Sequence, residues 1–304
     1  MIWTKLKLGC KKLLVGKCYV PLMLAPVMVL MIVLFLGGLI SGLLQSFGYF
    51  PLAGLKRFTL DYYLELITDK GFLRSLTFTL QVSVIPTIVG TCVSVLLAFS
   101  LRKRFLGREF LKFIYKLPLQ IPYMVAIFMI IVLFSDGGLT ARVFYHLGLI
   151  SSPSDFPHLL YDDYGIGIML VYLWKQIAFT TLVVYSVLLG INPEYEEAAR
   201  VFGASSWRLL RYVYVPLMLP GIMSASLIVF AFNFASFATP FILGKTYPNT
   251  LPVIAYLAYR DAEISQRPYA MAMSTIITLI SALILFFYIK IGQKIRRMPT
   301  GGEK

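Results

Sequence analysis

The sequence predicts an all-α integral membrane protein with six transmembrane helices and both termini in the cytoplasm, and three observations predict it. Of 304 residues, 59% are hydrophobic and only 14% charged, well under the roughly 25% charge of a water-soluble domain. Uncharged runs recur at about the 20 residues that a helix needs to cross the hydrocarbon core. The net charge of +14 is gathered on alternate connections, as cytoplasmic flanks gather it.

The first span, Pro21 to Leu44, lies in an uncharged run from Cys18 to Leu55. A Lys-rich leader precedes it, but no small-residue cleavage site follows a short apolar core, so it reads as an uncleaved helix. The second span runs from Ser75 to Leu101, interrupted by Pro86. The third, Leu117 to Ser135, is short and carries Pro118 and Pro122 near its start. The fourth runs from Tyr164 to Ile191 around one cation, Lys175; the fifth lies in Tyr212 to Gly244, and the sixth in Pro268 to Ile289. One transmembrane domain over 21–291 therefore stands between tails 1–20 and 292–304. The longest outer connections, Gln45 to Arg74 and Asp136 to Asp163, are too short to build a core of their own.

Orientation follows from the cations. Lys5, Lys7, Lys11, Lys12 and Lys17 precede the first span, and Arg102, Lys103, Arg104, Arg108, Lys112 and Lys116 follow the second. Arg200, Arg208 and Arg211 lie between spans four and five, and Lys290, Lys294, Arg296, Arg297 and Lys304 end the chain. The other side carries eight cations against nine acids, so the whole excess sits on one face. That distribution is a topology signal, and it excludes a nucleic-acid reading of the basic charge. Cys10 and Cys18 fall on the reducing flank and Cys92 in a span, so no disulfide framework is expected.

Between spans four and five lies "INPEYEEAARVFGASSWRLLRYVYVPLMLPGI", whose local chemistry is that of two short helices and a tight turn. Asn192 is a favoured N-cap, Pro193 suits the first helical position, and Glu194 and Glu196 sit at the positive end of the helix dipole. Gly203 ends the helix where a left-handed residue costs little, and Ser205 or Ser206 can cap the second. Tyr195, Ala198, Ala199 and Phe202 recur at i, i+3, i+4 and i+7 as one apolar face. The plain alternative is an amphipathic loop on the membrane surface.

The spacing Glu197, Ala198, Ala199, three residues, Gly203, nine residues, Val213, Tyr214, Val215, Pro216 resembles the EAA signature of inner-membrane permeases of ATP-driven, binding-protein-dependent importers of type I. That pattern has Ile and Leu where Val213 and Val215 stand. The resemblance implies that 192–216 is a coupling loop docking in a cleft of a separate ATPase, with Ala198 and Ala199 fitting the cleft. Glu197 would brace the helix pair or meet a polar group of the ATPase. Implied partners are two cytoplasmic ATP-binding subunits, a second permease subunit, identical or homologous, an extracytoplasmic solute-binding protein and the bilayer. The implied setting is a prokaryotic inner membrane. "SASLIVFAFNFASFATPFILG" resembles the fifth span of the subgroup with polyamine, iron and thiamine importers, implying a small polar solute, polyamine first.

Hydrolysis by this chain itself is not expected. "TPFILGKT" ends like a phosphate loop, but Thr239 stands where its first glycine belongs. No cofactor or metal is expected, because His146, His158, Asp162 and Asp163 lack a ligand rhythm. Lys175 lies near mid-membrane, where an unpaired charge costs about 3 kcal/mol or more. Either it faces a water-filled translocation pathway, or it caps carbonyls or pairs with Asn233. Asn233 itself reads as helix-to-helix glue or as a pathway residue. Gly38 and Gly42 permit close helix packing. A secondary transporter or channel is the alternative, weakened because no Asp or Glu lies within any span. A membrane-embedded enzyme would need a clustered constellation, and none is present.

Overall fold

The computed structural model describes residues 19–103 and 105–296. Residues 1–18 and 297–304, with Cys10 and Cys18, and Arg104 lie outside the described residues. Regular structure among the described residues is helical throughout, apart from one isolated bridge between Phe50 and Leu55. Among the described residues six stretches are long and apolar enough to cross a membrane.

In chain order the helices are α1 (Tyr19–Ser46), α2 (Asp61–Thr68), α3 (Lys70–Arg102), α4 (Arg108–Ile114), α5 (Leu117–Gln120), α6 (Tyr123–Phe134) and α7 (Leu139–His146). They continue with α8 (Ile166–Leu189), α9 (Glu194–Val201), α10 (Ser206–Leu209), α11 (Val215–Ala235), α12 (Ala238–Leu243), α13 (Leu251–Tyr259) and α14 (Arg267–Arg296). A π-helical turn, Leu210–Tyr214, joins α10 to α11.

The centre is the packing of α3 and α11 on α8. Residues Ser75, Thr79, Ser83, Thr87, Gly90, Ser94 and Ala98 are buried along one stripe of α3. Small side chains let backbones approach closely, which is how helices associate where lipid removes the hydrophobic drive. Four of the stripe's five hydroxyls bond within their own helix. Thr79, Ser83, Thr87 and Ser94 each donate to the carbonyl four residues back at 2.6–2.7 Å. At Gly90 the approach is so close that a Cβ would meet Gln176 Nε2 at 2.7 Å.

Large side chains fill both ends. One cluster joins Phe78, Val82, Ile127, Ile168, Tyr172 and Leu243; the other joins Leu101, Val184, Leu188, Leu209, Tyr214 and Met218. α1 stands at the edge, where none of its apolar window is buried and Gly42 meets Met271 of α14.

Two spans differ from the sequence expectation. The third is not one helix over Leu117 to Ser135. It breaks at Ile121, whose backbone is extended, because Pro122 offers no N–H to Pro118 and disfavours helix in the residue before it. The 12 residues of α6 span only about 18 Å, and after a turn at Ser135–Gly138 the chain continues into the separate short helix α7. The fifth begins earlier than Tyr212, at Ser206. It does not continue to Gly244, since Ser236 turns extended and α12 is a separate short helix.

Candidate functional site

Two places gather the chemistry: the insert between α8 and α11, and a polar layer where α3, α5, α8 and α11 meet.

The insert folds as its residues dictate. Asn192 Oδ1 accepts the Glu194 N–H at 3.1 Å, a cap one residue before Pro193. The helix closes on Gly203 at φ +75°, with Gly203 N–H bonded to Arg200 O at 2.9 Å and Ala204 N–H to Ala199 O at 3.1 Å. This pair of bonds satisfies carbonyls that a helix end leaves bare and requires the left-handed residue. Ser205, not Ser206, caps α10.

The predicted apolar face divides. Ala199 packs against the lower cluster with Ala204, while Ala198, Tyr195 and Phe202 face outward. Phe202 is 90% exposed and Val201 84%, and Trp207 and Tyr212 stand open nearby. A group of exposed large apolar side chains on an otherwise charged segment marks an interaction surface. Pro216 is exposed at the second residue of α11, directly after the π-helical turn.

The bracing role expected of Glu197 falls to its neighbour. Glu197 is exposed and makes no ion pair among the described residues. Glu196 is turned inward, its side chain 15% exposed, and binds Arg102 at the end of α3. Its other partners are Arg200 at 2.6 Å and the Tyr214 hydroxyl at 2.9 Å. Burial pushes the Glu196 carboxyl up, but the bonds from Arg200, Tyr214 and Arg102 outweigh that and hold it below the usual carboxylate value. Helical periodicity explains the change, since one residue turns a side chain by about 100°.

The polar layer resolves Lys175. It is only 8% exposed, and its ammonium donates to Pro118 O and Ile121 O, both at 2.5 Å, with the Tyr123 ring 4.7 Å away. Pro118 O is bare because residue 122 is a proline. Lys175 therefore caps the broken third span in trans, and it does not pair with Asn233.

Asn233 Nδ2 donates instead to Gln176 Oε1 at 3.0 Å and to Thr87 Oγ1 at 3.3 Å, while Gln176 Nε2 binds Pro86 O. Spans two, four and five are thus bridged by neutral hydrogen bonds. A cavity of about 290 Å³ opens beside this layer, lined by Lys175, Gln176, Asn233, Tyr123, Phe179 and Phe232 among others. It carries one cation and no carboxylate. The sequence reading missed Glu196, Gln176 and Thr87. The spacing of Pro118 and Pro122 was the available signal for Lys175's acceptor.

His146, His158, Asp162 and Asp163 are not brought together. His158 meets Asp136 at 2.8 Å, Asp163 meets Lys245 at 2.8 Å, and Asp162 caps α8 by accepting the N–H groups of Tyr164 and Ile166. Among the described residues no group of three potential metal donors forms. Lys245, the lysine of the chance phosphate loop, is held by Asp163.

Residues 90–297 match the family model described as binding-protein-dependent transport system inner membrane component. The sulfate transport system permease protein CysT of Escherichia coli (strain K12) is 29% identical over 226 residues, covering 74% of this chain and 78% of its own. The probable starch degradation products transport system permease protein AmyD of Thermoanaerobacterium thermosulfurigenes is 25% identical over 282 residues, 90% of this chain and 93% of its own. A chain from the crystal structure of a bacterial ABC transporter that imports the acidic polysaccharide alginate superposes with TM-score 0.77. At 19% identity it covers 97% of this chain and 99% of that one, and it speaks for the fold.

Proposed function

This chain belongs to the family of binding-protein-dependent transport system inner membrane components, and from that premise we propose how it works in an ABC importer. The insert faces the cytoplasm and docks in a cleft of an ATP-binding subunit, so hydrolysis belongs to that partner. An extracytoplasmic binding protein delivers the solute. Two ATP-binding subunits and a second permease complete the assembly, which sits in a prokaryotic inner membrane with both termini of this chain inside.

One observation carries the reading: the segment with the EAA spacing, Glu197 to Pro216, is also the segment that leaves Phe202, Val201, Trp207 and Tyr212 exposed. Glu197, free of any ion pair within the described chain, is available to a polar group of the ATPase. Ala198 offers the close approach first ascribed equally to Ala199.

For the solute, a small polar molecule, the cavity favours one that is neutral or anionic, because Lys175 lines it and no carboxylate does. A polycation would meet a like charge there. The sulfate and starch-product permeases among the relatives are consistent with that class. The likeness of span five to polyamine importers keeps polyamine as the competing solute.

Gly203→Val penalises the left-handed turn, and Phe202→Ser removes an exposed anchor without touching the bundle. Both should abolish co-purification with the ATPase while the chain still accumulates in the membrane. Retained association in both variants would return the insert to an ordinary surface loop. Uptake of labelled sulfate, maltodextrin and spermidine by a strain lacking the gene settles the solute class, and loss of spermidine uptake alone would overturn the anionic or neutral reading.

A further inference from the structure

The structure assigns to Glu196 a task that docking alone leaves open: we propose that it is the joint through which the insert moves spans two and five together. The inference rests on the docking reading and goes beyond it.

The covalent links of α9 are short: Gly190 to Pro193 join it to α8, and the turn at Gly203 to Ser205 joins it to α10. Its direct ties to α3 and to the start of α11 are therefore side-chain contacts. Glu196 lies in the first turn with Glu194 and Glu197, and it alone of the three makes an ion pair beyond its own helix among the described residues.

One carboxylate oxygen takes both Arg102 and the Tyr214 hydroxyl, and the other takes Arg200. Arg102 is the last residue of α3, so it carries the second span. Tyr214 closes the π-helical turn that opens α11, so it carries the fifth. Tyr214 is buried, and its ring lies against Phe99 at 5.7 Å and under the Arg102 guanidinium at 4.6 Å. The span side of the joint is thus preassembled without Glu196.

The other ties of α9 are weaker: Ala199, with Ala204 in the turn after it, offers small apolar contacts. The large buried side chains of the insert, Leu209 and Leu210, belong to α10 and the π-helical turn and so sit on the fifth-span side of the joint, where Lys103 also reaches Ser206 at 3.3 Å on the exposed surface. Charge-assisted bonds at a half-buried site are about twice as strong as neutral ones and fix geometry as well. A displacement of α9 accordingly reaches α3 and α11 through Glu196. Without it α9 remains able to dock but slides on the bundle.

Glu196 is a positioning residue, and the test must separate transmission from folding and from docking. The assembled importer, this permease with its ATPase subunits and partner permease in vesicles, is assayed for solute imported per ATP hydrolysed. Glu196→Gln keeps the shape and removes the charge. Association with the ATPase and hydrolysis should stay within about twofold, while solute per ATP falls roughly tenfold, the size that loss of a charge-assisted bond implies. A fold defect would lower complex yield and hydrolysis together instead.

The exchange Arg102→Glu, Glu196→Arg, Arg200→Glu rebuilds the same pairs with reversed sign and should restore the ratio. If Glu196→Gln fails to accumulate, Arg102→Gln reads the joint from the span side. An unchanged ratio in the accumulating variant overturns the joint. So does loss of ATPase association matching that of Phe202→Ser, which would make Glu196 part of the docking surface. Should Phe202→Ser and Gly203→Val both keep association, the docking reading falls first and the joint with it.

Discussion

The insert and the mid-bundle polar layer solve opposite problems with similar residues. On the insert, carboxylates and guanidiniums pair with each other, and large apolar side chains stand exposed. In the layer, one ammonium is paired with two neutral carbonyls, and amides and hydroxyls satisfy one another. Water and a protein partner tolerate formal charges, whereas the low-dielectric interior makes each added charge costly. A carbonyl already bared by proline is the cheaper partner for Lys175. The two regions should therefore fail differently when cut: the layer by losing stability, the insert by losing its partner.

The sharpest break is at Lys175. Lys175→Met leaves Pro118 and Ile121 carbonyls bare, each at a cost of about 1–3 kcal/mol, while Lys175→Gln keeps one donor and should lose less. Unfolding in detergent ranks them, and a Met variant as stable as the parent sinks the capping account. Phe202→Ser gives the counterpart. Its stability should move by less than about 0.5 kcal/mol as an exposed site, yet ATPase affinity should drop by about 2 kcal/mol or more if Phe202 is an anchor.

Asn233→Leu should be intermediate. It removes a bridge between neutral groups worth about 0.6 kcal/mol on average, 1.7 at most, and it strands the Gln176 oxygen. A loss above that of Lys175→Met would reverse the order of the two layer residues. The smallest effect concerns pH. Because the Glu196 carboxyl is held below its ordinary value of 4.5, the stability it adds is complete above that value and fades as pH falls through the lowered one. Coupling of transport to hydrolysis should thus be flat between about pH 8 and 6 as far as this group is concerned. A fall within that window that Glu196→Gln removes would contradict the assignment.

Much of this was legible in the residues. Uncharged run lengths revealed the six spans, and Asn192 and Gly203 revealed the ends of α9, because capping is local chemistry. The breaks at Ile121 and Ser236 were not placed: prolines at 118 and 122 were visible, but hydropathy does not register whether an apolar run is bent. Glu196 and Glu197 could not be told apart, since either can face Arg102 until the turn at Gly203 fixes how α9 is rotated on the bundle. Lys175 was left between two readings because its acceptors are backbone atoms 54 and 57 residues away.

That separation bears on how the protein is made. The ribosome delivers Pro118 and Ile121 more than 50 residues before the lysine that satisfies them, so the third span reaches the insertion machinery with two bare carbonyls and a helix of only 12 residues. Alone in lipid it would hold those dipoles at a cost of several kcal/mol. The third and fourth spans must then leave the machinery as a hairpin. Nascent chains truncated after residue 165 should stay extractable at the third span, and chains extended past residue 195 should become integrated there, with Lys175→Met delaying the transition.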